Sequence, residues 1–352
     1  MNLKATLLSC AGILRYIKAL FTPHYKTPFL RSVWALSKGF LPESLVHYSD
    51  FTRFPYDEYV NDWSTYTKAI RINAGYNEVM NNKLMFYDLM KETGKTPEVY
   101  GFICKGMPIY KDESVKDNSL DAFLELVKDK KSLFFKRFEG GSGHGIFKLS
   151  YEDGQYILDR EIYSCEKIKE YLASLDGYLF MECLYNDAEY AKTIHPTTLN
   201  TIKVFTMVDP VTNKAFIAGA FQRFGTKSSY PLDNMSRGGI SCLVNVETGT
   251  LDTSYALDPV TQKERVVEVH PDTGAQILGI QLPHWEKTKE EILEIANKYS
   301  YLKYVAWDLM ITEDSFIIIE GNANSETWGF QLGRPLLKNP QVKEFYKYYK
   351  VI

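Results

Sequence analysis

Three residues near the end of the chain, Asp308, Glu320 and Asn322, offer oxygen donors at a spacing suited to a divalent cation. They lie in the stretch Val-Ala-Trp-Asp-Leu-Met-Ile-Thr-Glu-Asp-Ser-Phe-Ile-Ile-Ile-Glu-Gly-Asn, residues 305–322. A turn over Thr312–Ser315 predicts an antiparallel hairpin with Asp308 opposite the region of Glu320. Glu320 and Asn322 are two apart and share one face of their strand. Asp308 joins that face from across the ladder, within about 5 Å. Two carboxylates and an amide oxygen on an otherwise apolar hairpin suit Mg²⁺ when nucleotide phosphates complete its octahedron. Ile317, Ile318 and Ile319 read as a strand buried on both sides, where an unpaired Glu is costly. Two other readings stay open: a buried carboxylate paired with Lys or Arg, and the carboxylate pair of a glycosidase.

A second chemical signal is the stretch Phe-Phe-Lys-Arg-Phe-Glu-Gly-Gly-Ser-Gly-His-Gly-Ile-Phe-Lys, residues 134–148. Gly140, Gly141, Gly143 and Gly145 let backbone N–H groups approach a phosphate without a Cβ clash. A P-loop would end in Gly-Lys-Ser/Thr, and this segment does not. The dinucleotide fingerprint needs a third Gly three positions after the second, which Gly141, Gly143 and Gly145 do not supply. A nucleophile elbow at Ser142 fails because His144 stands where Gly is required. Both flanks are strand-like, so the segment reads as a glycine-rich hairpin flap, with Lys136 nearby as a phosphate partner. A hairpin that holds no ligand is the alternative.

The elements that position these residues follow from the pattern of the whole chain. Of its 352 residues 45 % are apolar, enough for two or three packed subdomains, and the net charge of -3 leaves no basic excess for nucleic acid. Five cysteines without CxxC spacing (Cys10, Cys104, Cys165, Cys183, Cys242) argue against a disulfide framework or zinc cluster and fit a reducing, cytoplasmic setting. Residues 1–78 read as mostly helical, broken by Pro23, Pro28, Pro42 and Pro55. A helix is predicted from Asn81 to a cap at Gly94. Short strands follow, then a strand-rich second half with one helix over about 286–298. Strands in hairpins, without regular βαβ alternation, indicate an α+β fold.

At the amino end Leu3, Leu7, Leu14, Ile17 and Phe21 recur at helical spacing. Before Glu43 the chain has six basic residues (Lys4, Arg15, Lys18, Lys26, Arg31, Lys38) and no acid. No run reaches the roughly 18 apolar residues of a spanning helix. The stripe suits a helix packed on its own domain. It also suits weak peripheral association of residues 1–42 with an anionic membrane face, which would bring a cytoplasmic protein to the inner side of the membrane.

Taken in order, these parts resemble the ATP-grasp enzymes: Lys83 on a helix, Lys136 and the glycine flap, Met181-Glu-Cys-Leu as a hinge, then the acidic hairpin. More narrowly the chain resembles the sugar-transfer-associated ATP-grasp family. The carrying stretches are His195-Pro-Thr-Thr-Leu-Asn-Thr-Ile-Lys-Val, Gln222-Arg-Phe-Gly, Leu232-Asp-Asn, Arg237-Gly-Gly-Ile, His270-Pro, Leu282-Pro-His-Trp, Ala306-Trp-Asp-Leu and Ile319-Glu-Gly-Asn. The resemblance covers about residues 79–335. It implies two α+β subdomains gripping ATP behind the mostly helical region 1–78. The ATP-grasp domain would span 79–340, with a glycine-flap subdomain at about 131–182, a metal and substrate subdomain at 183–340, and a tail at 341–352.

The resemblance also implies roles. Lys83, Lys136 and the flap residues Gly141, Ser142, Gly143, His144 and Gly145 would hold the phosphates of ATP. Glu182 and the backbone at Leu184 would hold adenine, and Glu189 the ribose. Asp308, Glu320 and Asn322 would hold Mg²⁺. Arg223 would stabilise the transferring phosphoryl group, with Asn200 and Asn234 as polar contacts. Lys203 is a departure, standing where the family pattern has Arg; it keeps the charge but not the two-pronged geometry. The implied activity is a carboxylate–amine ligase working through an acyl phosphate on a small-molecule or glycan-precursor substrate. A phosphotransferase acting on a hydroxyl and a non-catalytic nucleotide-binding scaffold are the alternatives. The sequence carries no signal for oligomeric state.

Overall fold

The computed structural model describes residues 3–23, 25–140, 145–187, 190–191, 194, 198, 200–230, 232–258 and 264–352, with the side chains of residues 3–5 left out. The chain forms two compact units. One comprises Met1–Asn77, Asn186–Phe316 and Glu320–Ile352; the other comprises Glu78–Tyr185 with Ile317–Ile319.

Fourteen strands can be followed among the described residues. They are β1 (Val99–Cys104), β2 (Met107–Tyr110), β3 (Ser132–Arg137), β4 (Ile146–Glu152), β5 (Gln155–Leu158), β6 (Glu161–Tyr163) and β7 (Tyr178–Met181). Then come β8 (Thr201–Val208), β9 (Ala215–Phe224), β10 (Ile240–Val244), β11 (Leu251–Leu257), β12 (Glu264–Val266), β13 (Tyr304–Ile311) and β14 (Phe316–Asn322). The first seven make one sheet in the order β2-β1-β7-β3-β4-β5-β6, and the others a second in the order β12-β11-β10-β9-β8-β13-β14. The architecture is α+β, with hairpin connections dominating both sheets.

In the smaller unit the helices Leu120–Lys130 and Cys165–Ala173 are N-capped by the Ser119 and Ser164 hydroxyls. Their apolar faces bury Phe123, Val127, Ile168 and Leu172 against Leu133, Phe135 and Phe180 of the sheet. The helix expected after Asn81 runs Lys83–Met90, N-capped by the Asn82 side chain. A single 3₁₀ turn continues it to Gly94, whose φ of 64° is the left-handed cap that glycine accepts without strain.

The larger unit gathers its core from distant parts of the chain. Phe205 of β8 stacks on Phe330 at 4.8 Å and meets Tyr304 of β13 edge-on at 4.6 Å. Val60 and Ala69 from the amino-terminal region join this cluster, as do Val342, Phe345 and Tyr346 of the helix Pro340–Tyr348. Buried Gln331 accepts from the Val60 amide at 2.7 Å and donates to its carbonyl at 3.1 Å, so burying this amide leaves no partnerless group.

The amino-terminal helix Leu3–Phe21 packs on the helix Asp62–Thr67, but not through its apolar stripe. Ser9 donates to the Thr67 carbonyl at 3.0 Å, and Tyr16 sits edge-on to Trp63 and Tyr66. Between them Gly12 permits a close approach: a Cβ there would fall 1.9 Å from the Tyr66 carbonyl oxygen. The stripe residues Leu7, Leu14, Ile17 and Phe21 face outward and are exposed. Among the described residues no helix is long and apolar enough to cross a membrane.

Gly12→Ala should force the helix off its seat at a cost of about 1–3 kcal/mol, the usual range for overfilling a packed contact. Thermal unfolding followed by circular dichroism should show a lower midpoint for Gly12→Ala and no change for Leu14→Ala. Equal midpoints for wild type and Gly12→Ala would refute this close seat.

Candidate active site

In the larger unit β9, β8, β13 and β14 are successive neighbours, and their polar residues converge on one carboxylate. The β13–β8 register puts Asp308 directly opposite Lys203, so the two share a face. Lys203 Nζ lies 3.0 Å from Asp308 Oδ2, and Arg223 Nη2 of β9 lies 3.2 Å from Asp308 Oδ1. Asn322 of β14 donates its amide Nδ2–H to Asp308 Oδ2 at 3.2 Å. The side chains of Asp308, Lys203 and Arg223 are only 9 %, 14 % and 17 % exposed, so water screens these pairs poorly. Burial pushes the Asp308 carboxyl up, but Lys203 and Arg223 outweigh it and hold the group below the ordinary carboxylate range.

Arg223 is held at every nitrogen. Its Nε donates to Thr201 Oγ1 at 2.9 Å, Nη1 to Asn234 Oδ1 at 3.1 Å, and Nη2 to both Thr201 Oγ1 and Asp308. Asp233 Oδ1 lies 3.4 Å from Nε, and Asp233 Oδ2 accepts from the Thr201 amide at 2.9 Å. Burial alone would lower the guanidinium pKa, but Asp233, Asp308 and Glu320 reverse that and raise it. Asn200 serves this frame from further back, accepting from the Thr198 hydroxyl at 3.0 Å and the Gly225 amide at 3.3 Å.

The smaller unit carries the two expected phosphate lysines. Lys136 on β3 is buried, its Nζ 3.3 Å from the Tyr87 hydroxyl, which in turn donates to the Ile319 carbonyl at 2.6 Å. Lys83 donates from its backbone N–H to the Phe138 carbonyl at 2.8 Å and from Nζ to the Gly140 carbonyl at 2.7 Å. Both flap ends described here are glycines with positive φ, Gly140 at 121° and Gly145 at 69°. At Gly145 a Cβ would also meet Arg137 Cδ at 2.6 Å. Gly141, Ser142, Gly143 and His144 lie outside the described residues, as does Glu189. Beyond β7, Glu182 exchanges bonds with Glu98: its carboxylate Oε1 accepts from the Glu98 amide at 2.8 Å, and its own amide donates to the Glu98 carbonyl at 3.0 Å. Leu184 follows on the chain. His270 is buried with Nε2 2.9 Å from the Gly225 carbonyl, a structural bond.

The structure therefore brings Lys203, Arg223, Asp308 and Asn322 together in one unit, and Lys83, Lys136, Gly145 and Glu182 belong to the other. A cationic partner for the buried Asp308, one of the readings the sequence left open, is present twice over. Among the described residues no three His, Cys, Asp or Glu side chains cluster as a metal site; the acidic hairpin supplies two carboxylates and an amide instead. Sequence reasoning gave no role to Thr201, Asp233 or Tyr87, although the first two lie in stretches that carry the resemblance. Thr201 had a signal, since it lies two residues before Lys203 on one strand and so shares its face. Asp233 lies outside any strand, where periodicity says nothing.

Residues 64–344 match the family described as sugar-transfer associated ATP-grasp. The chain belongs to that family, and its two-sheet α+β architecture is the ATP-grasp fold. Among solved structures, D-alanine–D-alanine ligase from Bacillus anthracis is similar over 80 % of this chain and 71 % of its own, at 13 % identity and a TM-score of 0.39. D-alanyl-alanine synthetase A from Vibrio cholerae O1 biovar eltor is similar over 80 % and 67 %, at 12 % identity and a TM-score of 0.41. An ATP-grasp ligase solved with a minimal precursor, Mg and ADP is similar over 81 % and 67 %, at 13 % identity and a TM-score of 0.35. No curated protein matches the chain.

Thr201→Val should remove the acceptor shared by Arg223 Nε and Nη2, leaving Nε only the longer 3.4 Å contact with Asp233 Oδ1. An unmet buried donor costs about 1–3 kcal/mol, so the thermal midpoint should fall, and Thr201→Ser should restore it. A Thr201→Val protein as stable as wild type would show that the hydroxyl does not hold the guanidinium.

Proposed function

We propose that the protein is a Mg²⁺- and ATP-dependent ligase that activates a carboxylate as an acyl phosphate and passes the acyl group to an amine. The observation that carries this reading is the Asp308 cluster, two cations and an amide fixed around one ionised carboxylate in a chain of the ATP-grasp family. A carboxylate is a poor acyl donor because its leaving group would be oxide. A carboxylate oxygen of the substrate attacks the γ-phosphorus and ADP leaves. The amine nitrogen then attacks the acyl carbon, phosphate departs with the former carboxylate oxygen, and the nitrogen gives up a proton. No protein nucleophile is required, so the protein's task is positioning and charge neutralisation.

In this reading Lys83, Lys136 and the flap 140–145 cradle the phosphates, while Glu182 and the Leu184 backbone hold adenine and Glu189 the ribose. Arg223, already oriented by Thr201 and Asn234, faces the charge that develops on the transferred phosphoryl group. Lys203 adds a point charge beside it, with less directional demand than an arginine. The donor set fits Mg²⁺: Asp308 is kept ionised, Asn322 is drawn to it, and Glu320 lies two residues before Asn322 on β14, on the same strand face. Asp308, Glu320 and Asn322 would hold the ion, which when bound neutralises phosphate oxygens. The acid we assign to a sugar acid or surface-polysaccharide precursor and the nucleophile to an amino acid or amine, the substrate class that the family description favours.

Incubation with ATP and a panel of acids and amines, followed by mass spectrometry and nucleotide chromatography, tests the reaction. An amide together with ADP and phosphate is expected. A phosphate ester would make the protein a phosphotransferase, and AMP would mean adenylate chemistry. Glu320→Gln should abolish turnover in a protein whose circular dichroism is unchanged, because a metal-binding carboxylate is lost without a change of shape. Near-normal turnover by that variant would remove Glu320 from the metal site.

A further inference from the structure

The amino-terminal helix presents to solvent a face that its own unit does not use. Its seat is formed by Ser9, Gly12 and Tyr16, and the opposite side carries Leu7 (61 % exposed), Leu14 (68 %), Ile17 (42 %) and Phe21 (78 %). The next helix, Phe29–Ser37, also exposes large apolar side chains: Phe29 (78 %), Leu30 (80 %) and Val33 (50 %). Single exposed apolar residues are ordinary, but a run of large ones along consecutive helices marks an interaction surface.

Charge says what that surface meets. Residues 1–42 contain six Lys or Arg and no Asp or Glu. Arg31 is engaged by Asp50, and Lys38 lies over the Tyr56 ring. Arg15, Lys18 and Lys26 remain exposed and form no ion pair among the described residues. At 100° per residue Lys18 falls at the edge of the Leu7–Phe21 stripe and Arg15 about 60° further round, between the stripe and the seat, so basic residues flank one side of the apolar face as on a helix lying in a membrane interface. We propose that residues 3–37 dock this protein on a bilayer containing anionic lipid, with the leucine and phenylalanine side chains in the acyl boundary and Arg15, Lys18 and Lys26 among the headgroup phosphates. The inference is independent of the ligase reading.

A second copy of the chain is the competing occupant, because Leu7, Cys10, Leu14, Ile17 and Phe21 alternate spacings of three and four like a coiled-coil seam. Such a pair would set Lys18 beside a partner segment that is equally basic, with no acid in residues 1–42 to answer it. An anionic bilayer supplies the charge the segment lacks, and an apolar medium for the stripe.

Full-length protein sedimented with vesicles provides the test. Binding to phosphatidylcholine vesicles containing phosphatidylglycerol is expected at low salt, with release at high salt and little binding to phosphatidylcholine alone. Arg15→Gln and Lys18→Gln should each weaken binding roughly fivefold, and Leu14→Asp with Phe21→Asp should abolish it. Those positions are exposed, so an unchanged thermal midpoint certifies the fold of each variant. Protein that stays in the supernatant with phosphatidylglycerol at low salt, or that binds as well with both aspartates in place, overturns the proposal. So does a dimer by light scattering that the aspartate pair converts to a monomer, since a second copy would then be what covers the stripe.

Discussion

One constraint organises the larger unit: an ionised carboxylate, Asp308, placed almost out of water on β13, the strand next to the sheet's edge. Removing a charge from water costs several kcal/mol unless partners replace the lost hydration. The sheet provides those partners from both sides, Lys203 from β8 and Arg223 from β9, with Asn322 from β14. Arg223 brings the same problem with opposite sign, and Thr201, Asp233 and Asn234 answer it. The result is a network whose members are each satisfied only while the others stay in place, which fixes strand register and side-chain orientation together.

For the proposed ligase reaction, that network would keep the site rigid without a protein nucleophile. Chemistry that depends on neutralising phosphate charge needs cations already oriented before the substrate arrives, since reorientation during reaction would cost energy. Arg223 meets this requirement through three different acceptors. In the smaller unit the Lys136 ammonium group lies beside the Tyr87 hydroxyl and near the rings of Tyr87 and Phe134.

The amino-terminal segment follows another rule. Its helix is tied to the larger unit through a glycine, a serine and a tyrosine, small or polar contacts that allow close backbone approach. Leu7, Leu14, Ile17 and Phe21 are thereby left exposed. An apolar stripe in a sequence is usually assigned to the core on energetic grounds, and here that assignment would place the helix the wrong way round.

Much of the site was legible from residue types and short spacings. A period of two along a strand puts Glu320 with Asn322 and Thr201 with Lys203, and positive-φ glycines bracket a flap whose composition announced it. The strand and helix segments were readable because apolar periodicity and capping residues act locally, as Asn82, Ser119 and Ser164 do. What only the tertiary structure decided were the relations between distant segments. No spacing rule joins Asp233 to Thr201, or Val60 and Ala69 to Phe345, because those contacts depend on which strands become neighbours and on how closely two helices can approach. Sequence thus determined which chemical groups were present and which face of an element each would share; packing, through the seat at Gly12 and the order of β9, β8, β13 and β14, decided which faces met one another and which were left to solvent.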